Sequence, residues 1–191
     1  MSLITVAARI LDELRREGVS GCLVGGLAVS ARCDPRFTRD IDVAIDIEDD
    51  ARAEALVQKL GTVGFRAGAV AEHGAVGRLA MIRLIDDDTT IDMLRASSGI
   101  EDEVVAVAES LEVVRGVVIP VARVGHLIAL KLLSVSPGRE TDTLDLRHLA
   151  AIATPAEWDR AADAVEKITA RGYSRGRDLA SDLRSLRSGN S

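Results

Sequence analysis

The stretch Asp40–Asp46, DIDVAID, places aspartates and aliphatic residues on opposite sides of an extended chain. Residues two apart in a strand project to the same face, so Asp40, Asp42 and Asp46 share one side and Ile41, Val43 and Ile45 the other. A helix with a period of 3.6 residues would scatter the same acids around its surface. The chain therefore needs a sheet in which this strand buries its aliphatic side and carries carboxylates on the other.

The segments around that strand show where such a sheet comes from. Leu3, Ala7, Ile10, Leu11 and Leu14 fall at helical spacing, and Gly18 stops that helix. "GCLVGG" reads as a short buried strand running into a glycine turn, with a short helix from about Leu27. Ala53, Leu56, Val57 and Leu60 mark a helix ending near Gly61, and "TVGFRAGAV", "GRLAMIRLI" and "TTIDML" predict three further strands, the last two joined by a turn at "DDDT". A helix is expected from about Ile100 to Ser110, then a hairpin turning at Arg115–Gly116. Beyond Pro120 the pattern is helical throughout. The expected architecture is α+β: a mixed β-sheet flanked by helices over residues 1–120, with a helical region over residues 121–191 packed on it.

Aromatic residues make up only 2% of the chain, so the core has to be built from Ala, Val, Leu and Ile. A net charge of −6 argues against a protein that coats nucleic acid through a general positive field, though not against a local basic patch. Two cysteines, Cys22 and Cys33, do not make a disulfide scaffold. The N-terminus is charged at Arg9, Asp12 and Glu13, and the most apolar stretch, residues 116–135, is interrupted by Pro120, Arg123, His126 and Lys131. Neither is a good secretory or membrane segment, and a cytoplasmic location with free thiols is expected.

Two carboxylates on one strand face repel each other unless a cation or proton lies between them. A Mg²⁺ ion suits Asp40 and Asp42, because it prefers hard oxygen ligands and keeps positions open for water and phosphate. Alone, D-x-D is also the pattern of a solvated edge strand. Gly25-Gly26, at a strand end and a helix start, adds a turn where a phosphate can approach the backbone. Asp92 in "TTIDML" adds a third carboxylate on another strand, as a metal-assisted phosphoryl-transfer site requires. Thr38 shares the face of Asp40; its hydroxyl suits a phosphate oxygen, or it is a β-branched residue entering the strand. Arg36 and Arg39 supply positive charge nearby.

Gly25-Gly26, a spacer, Asp40-Ile41-Asp42 and a later-strand Asp92 resemble the nucleotidyltransferase superfamily that shares the DNA polymerase β catalytic fold. The fuller string "RFTRDID", Arg36 to Asp42, is similar to the toxins of AbiEii-type and MenT-type bacterial toxin–antitoxin pairs. So is His126 to Leu149, "HLIALKLLSVSPGRETDTLDLRHL", with its lysine, arginine and Asp-x-x-Asp-Leu. The position where many relatives carry a second lysine is Thr141, leaving open whether that cation is missing or is supplied by Arg139. The resemblance implies a minimal nucleotidyltransferase fold and transfer of a nucleoside monophosphate from an NTP, with release of pyrophosphate. Its MenT-type branch implies the 3′ acceptor end of tRNA as target, a pyrimidine nucleotide such as CTP as donor, and a cognate antitoxin protein as partner. In that reading Asp40, Asp42 and Asp92 hold Mg²⁺, Asp92 alternatively serving as the base. Gly25, Gly26, Thr38, Arg36, Arg139, Lys131 and Asp145 make up the nucleotide-binding set.

The second block can also be read from its residues. The segment from about Val124 to Val135 is apolar nearly all round, as in a buried helix, yet it contains Lys131. That ammonium must either snorkel to water or meet an anion, and an NTP phosphate is one candidate. Asp142 and Asp145 fall in the first turn of the next helix, where acids favour the macrodipole. Asp145 lies on the inward stripe with Leu149 and Ile152 and is expected to orient Lys131 or Arg139. His73, His126 and His148 lack metal-ligand spacing, and Trp158 fits a core stripe with Ala161, Ala162 and Val165. Arg171, Arg175, Arg177, Arg184 and Arg187 make the last segment basic, as an RNA contact or a solvated face. Two other readings compete: the same chemistry on a small molecule such as an aminoglycoside or on a protein hydroxyl, and a nucleotide- or partner-binding module without catalysis.

Overall fold

The computed structural model describes residues 2–73, 78–136 and 140–189. Seven strands form one mixed sheet in the order β3-β4-β5-β2-β1-β7-β6. They are β1 (Ser20–Val24), β2 (Asp40–Asp46), β3 (Arg66–His73), β4 (Arg78–Asp86), β5 (Thr89–Leu94), β6 (Glu109–Val114) and β7 (Val117–Val121). The acidic strand β2 is central, antiparallel to β1 and parallel to β5, so its aspartates do not decorate a solvated edge. The helices are α1 (Leu3–Arg16), α2 (Gly25–Arg32), α3 (Asp50–Thr62), α4 (Glu101–Ala106), α5 (Val124–Ser134), α6 (Glu140–Ile152), α7 (Pro155–Ala170) and α8 (Leu179–Ser188).

Helix starts follow their capping residues. Ser2, Asp49, Thr154 and Asp178 each accept a backbone N–H from three residues on, and Pro155 sits in the first turn of α7, where its missing N–H costs nothing. The helix expected to reach Ser110 ends at Ala106. Residues from Glu109 pair with β7 instead, because closing the hairpin at Gly116 (φ +81°) satisfies their backbone groups in the sheet. In the stretch from Thr62, Thr62 still belongs to α3, and the strand begins only at Arg66. Asp87, with φ +50°, turns the chain between β4 and β5.

One buried aliphatic cluster runs from α1 through β1, β2 and β5 into α5, α6, α7 and α8. Ile41, Val43 and Ile45 are buried in it, and Asp40 and Asp46 are exposed on the other side, as the alternation requires. Trp158 packs in this core. Ile152, expected on the inward stripe of α6, is instead exposed at the end of that helix. The basic C-terminal segment is largely spent on structure: Arg171 pairs with Glu103, and Arg177 donates to the Leu132 and Val135 carbonyls and to Asp182. Arg187 lies over the Trp158 ring. Cys22 and Cys33 are free thiols. Among the described residues, no helix is long and apolar enough to cross a membrane.

Candidate active site

Strand pairing, more than sequence spacing, brings the carboxylates together. In the parallel ladder of β2 and β5, Asp42 stands opposite Asp92 and Asp40 opposite Thr90. Register partners on adjacent strands share a face, so Asp40, Asp42 and Asp92 rise from one side of the sheet. On the other flank Val24, the last residue of β1, is opposite Asp42, and Gly25-Gly26 opens α2 immediately after it.

Both glycines are demanded by that crowding. Gly25 has φ +62°, and a Cβ there would fall inside the Asp42 carboxylate. A Cβ on Gly26 would lie 2.7 Å from the Arg36 guanidinium and 3.1 Å from the Thr38 hydroxyl. The turn therefore lies directly against the acids, and the Gly26 backbone N–H donates to Asp42. Burial, with the neighbouring Asp92 charge adding to it, pushes the Asp42 carboxyl up to about 6 against the pull of Lys131 and Gly26. A carboxylate raised in this way gains from a cation placed beside it.

The cations come from distant parts of the chain and meet at one buried acid. Asp145, on α6, is fully buried. It accepts from Arg36 Nε at 2.5 Å and Arg36 Nη2 at 2.6 Å, and pairs with Lys131 Nζ at 2.8 Å. Burial raises its carboxyl, but these donors outweigh burial and hold it below the usual carboxylate range. Lys131, buried on α5, also donates to Asp142 at 2.7 Å. Its anions are thus Asp142 and Asp145, and it does not snorkel. Asp142, besides opening α6, accepts from Ser134 Oγ at 3.3 Å, so its position is set by side chains as well as by the helix dipole. Arg139 lies outside the described residues.

These groups line a cavity of about 370 Å³. Gly25, Gly26, Arg36, Thr38, Asp40, Asp42, Asp92 and Lys131 all reach it. Asp145 sits behind Arg36 and Lys131 and holds them. Among the described residues no three His, Cys, Asp or Glu side chains stand close enough to enclose a metal ion. Arg83 clamps both oxygens of Asp92 at 2.7 Å. A hard divalent ion nevertheless suits the remaining oxygen donors, since Asp40 is exposed to the cavity and Asp42 is short of positive charge.

No family model matches the chain, and no curated protein sequence does. Among solved structures, it is similar to an antigenic nucleotidyltransferase-like protein from Paracoccidioides brasiliensis, with TM-score 0.58 and 17% identity over 95% of this chain and 92% of that one. The chain has a nucleotidyltransferase fold. Looser likenesses, with TM-scores of 0.49 and 0.48, are to ANT(2")-Ia in complex with adenylyl-2"-tobramycin and to the lincomycin-bound lincosamide antibiotic adenylyltransferase LnuA. They are 18% and 19% identical, over 100% and 76% of this chain and 97% and 94% of theirs.

Within this nucleotidyltransferase fold, two lining features escape a reading of the sequence, and a third, Arg175, is legible there only as part of a basic segment. Arg83 belongs to β4 and reaches Asp92 only because the two are register partners across the β4–β5 hairpin. Ser97 and Ser98 follow β5 into the cavity wall, their backbone N–H groups bound by Glu101. Arg175 arrives from the turn before α8 and donates to the Ser97 carbonyl at 3.3 Å. A charge alternating with aliphatic residues in "MIRLI" was the one available hint for Arg83.

Proposed function

We propose that this chain is a metal-dependent nucleotidyltransferase that moves a nucleoside monophosphate from an NTP to the 3′-hydroxyl of a tRNA acceptor end. The observation that carries the chemistry is the register of Asp42 with Asp92, with Asp40 on the same face, against a glycine turn, a buried lysine and a half-buried arginine. Asp40 and Asp42 would hold Mg²⁺, which supplies charge neutralisation of the triphosphate and a template for in-line attack. Gly25, Gly26 and Thr38 border the space for the phosphates, and Arg36 and Lys131 offset the charge of the leaving group. The acceptor oxygen bonds to the α-phosphorus as the bond to the β-phosphate oxygen breaks, and pyrophosphate leaves. The acceptor proton passes to Asp92. Both Asp92 oxygens are engaged by Arg83, so taking the acceptor proton, like binding a metal, requires that clamp to open.

The tRNA acceptor, the pyrimidine donor and the role as the toxin of a toxin–antitoxin pair rest on the resemblance of Arg36–Asp42 and His126–Leu149. The test incubates the protein with each labelled NTP, Mg²⁺ and total tRNA, beside Asp42→Asn. Label in tRNA from wild type alone is expected. Label in no RNA, from a folded protein that binds NTP and metal, would overturn the acceptor. Growth arrest on expression, relieved by a neighbouring gene product, tests the toxin role separately.

A further inference from the structure

The chain has two phenylalanines, and the structure treats them oppositely. Phe65 is fully buried, whereas Phe37 is 80% exposed, the most exposed of the large apolar side chains among the described residues. Burying a phenylalanine stabilises a fold, and a chain so poor in aromatics leaves one of its few in water. Its position is specific. Phe37 lies between Arg36 and Thr38, both of which line the cavity, but does not line it itself.

The backbone beneath the ring is pinned. The Ser30 hydroxyl is 3.3 Å from both the Arg36 N–H and the Arg36 carbonyl, donating to the latter and accepting from the former. Arg36 Nη1 donates to the Phe37 carbonyl at 3.0 Å, from a guanidinium whose other nitrogens are fixed on buried Asp145. The ring therefore stands on a held segment, and little backbone entropy is lost if a ligand covers it. Arg39, two residues on, sets its guanidinium 5.7 Å from the ring centroid. An exposed aromatic ring with an arginine beside it, at the mouth of a phosphate-binding cavity, is the chemistry that takes an unpaired nucleobase and its phosphate. Asp34 and Asp40 are the acids on the same segment. Asp40 is assigned to the metal and Arg36 is paired with Asp145, so Arg39 is the cation that stands beside the ring, with Asp34 at the other end of the segment.

We propose that Phe37 and Arg39 form a stacking platform for an unpaired base of a single-stranded RNA acceptor, just outside the cavity that binds the donor triphosphate. Its place on the rim favours a polymer extending beyond the cavity over the compact donor nucleotide. The inference rests on the nucleotidyl-transfer reading for its acceptor but is tested by binding alone.

The probes are a short, unstructured, fluorescein-labelled single-stranded RNA, read by anisotropy, and a fluorescent ATP analogue titrated separately with Mg²⁺. Loss of one base–aromatic stack is expected to weaken RNA binding by Phe37→Ala about 5- to 150-fold and to leave ATP-analogue binding unchanged. Phe37→Trp should retain RNA binding, and its fluorescence should be quenched by RNA above the background of buried Trp158. Arg39→Ala should reduce RNA affinity and its salt dependence. RNA binding by Phe37→Ala equal to wild type overturns the platform. Loss of ATP-analogue binding in place of RNA binding assigns the ring to the donor base and also overturns it. No RNA binding by wild type, with a protein partner captured through Phe37, overturns it in favour of a protein contact. RNA binding that depends on Phe37 without any label transfer sustains the platform while refuting the chemistry; label transfer unaffected by Phe37→Ala does the reverse.

Discussion

Replacing Asp42 by Asn is expected to stabilise the metal-free protein at neutral pH, although it removes a residue assigned to the chemistry. The Asp42 carboxyl is raised from 3.8 to about 6, chiefly by burial and then by the Asp92 charge. A carboxyl raised on folding binds its proton more tightly in the native state. Below the unfolded value it is protonated in both states and costs nothing; as pH rises through about 6 it ionises in the native state, and the full penalty appears. Each decade of that interval is worth about 1.4 kcal/mol, so the penalty reaches about 3 kcal/mol. The substitution removes it at every pH. Urea denaturation in the presence of a chelator should show Asp42→Asn close to wild type at about pH 4 and more stable by about 3 kcal/mol at about pH 7.5. In a chain of this size that is roughly 6–12 °C in Tm. Comparing the two proteins at each pH cancels the other titrating groups to first order. Saturating Mg²⁺ should close the gap by stabilising wild type alone. A gap of equal size at both pH values, or a wild type more stable than the variant at neutral pH without metal, would refute the account of Asp42.

Asp145→Asn should behave in the opposite sense. It leaves Arg36 and Lys131 without their shared buried anion and is expected to cost about 3–5 kcal/mol. Because this carboxyl is held low, its contribution is present above the unfolded value and is lost as pH falls, so the gap from wild type should narrow in acid; a gap that widens there would contradict the pairing. Gly25→Ala forces a Cβ into the Asp42 carboxylate at a left-handed backbone position, at about 1–2 kcal/mol for the conformation alone. Thermal unfolding should register that loss, and label transfer should fall with it; an active, equally stable variant would remove the crowding argument. Arg83→Gln releases Asp92 from its bidentate clamp and should raise Mn²⁺ affinity several-fold by calorimetry in the absence of nucleotide. Unchanged affinity would mean that the guanidinium does not compete with the ion.

How far the sequence discloses this site depends on the range of each interaction. The alternation of Asp40–Asp46 and the glycines after β1 are local signals, and the structure has the strand and the turn where those signals put them. Lys131 is conspicuous because an apolar helix has no place for it. Its partners are harder to read: Asp142 is eleven residues away on the next helix, and nothing local distinguishes pairing from helix-dipole preference. Arg36 and Asp145 are 109 residues apart, and no periodicity connects them. Arg83 and Asp92 meet by a hairpin register that one residue of slip would destroy. The shortened α4 has the same origin, since Glu109 prefers strand pairing only once β7 is in place.

Asp145 also limits how this chain could have been assembled or can be taken apart. It lies on α6, yet it fixes Arg36, which precedes β2 and borders the cavity of Asp40 and Asp42. A cut after the last strand would strand that guanidinium at the rim and expose the face of α2 on which α5 and α6 pack. Separating the two regions would leave Arg36 on one side and Asp145 on the other, each without its partner. The sheet region and the helical region thus meet at one carboxylate, which serves an arginine of the first and a lysine of the second.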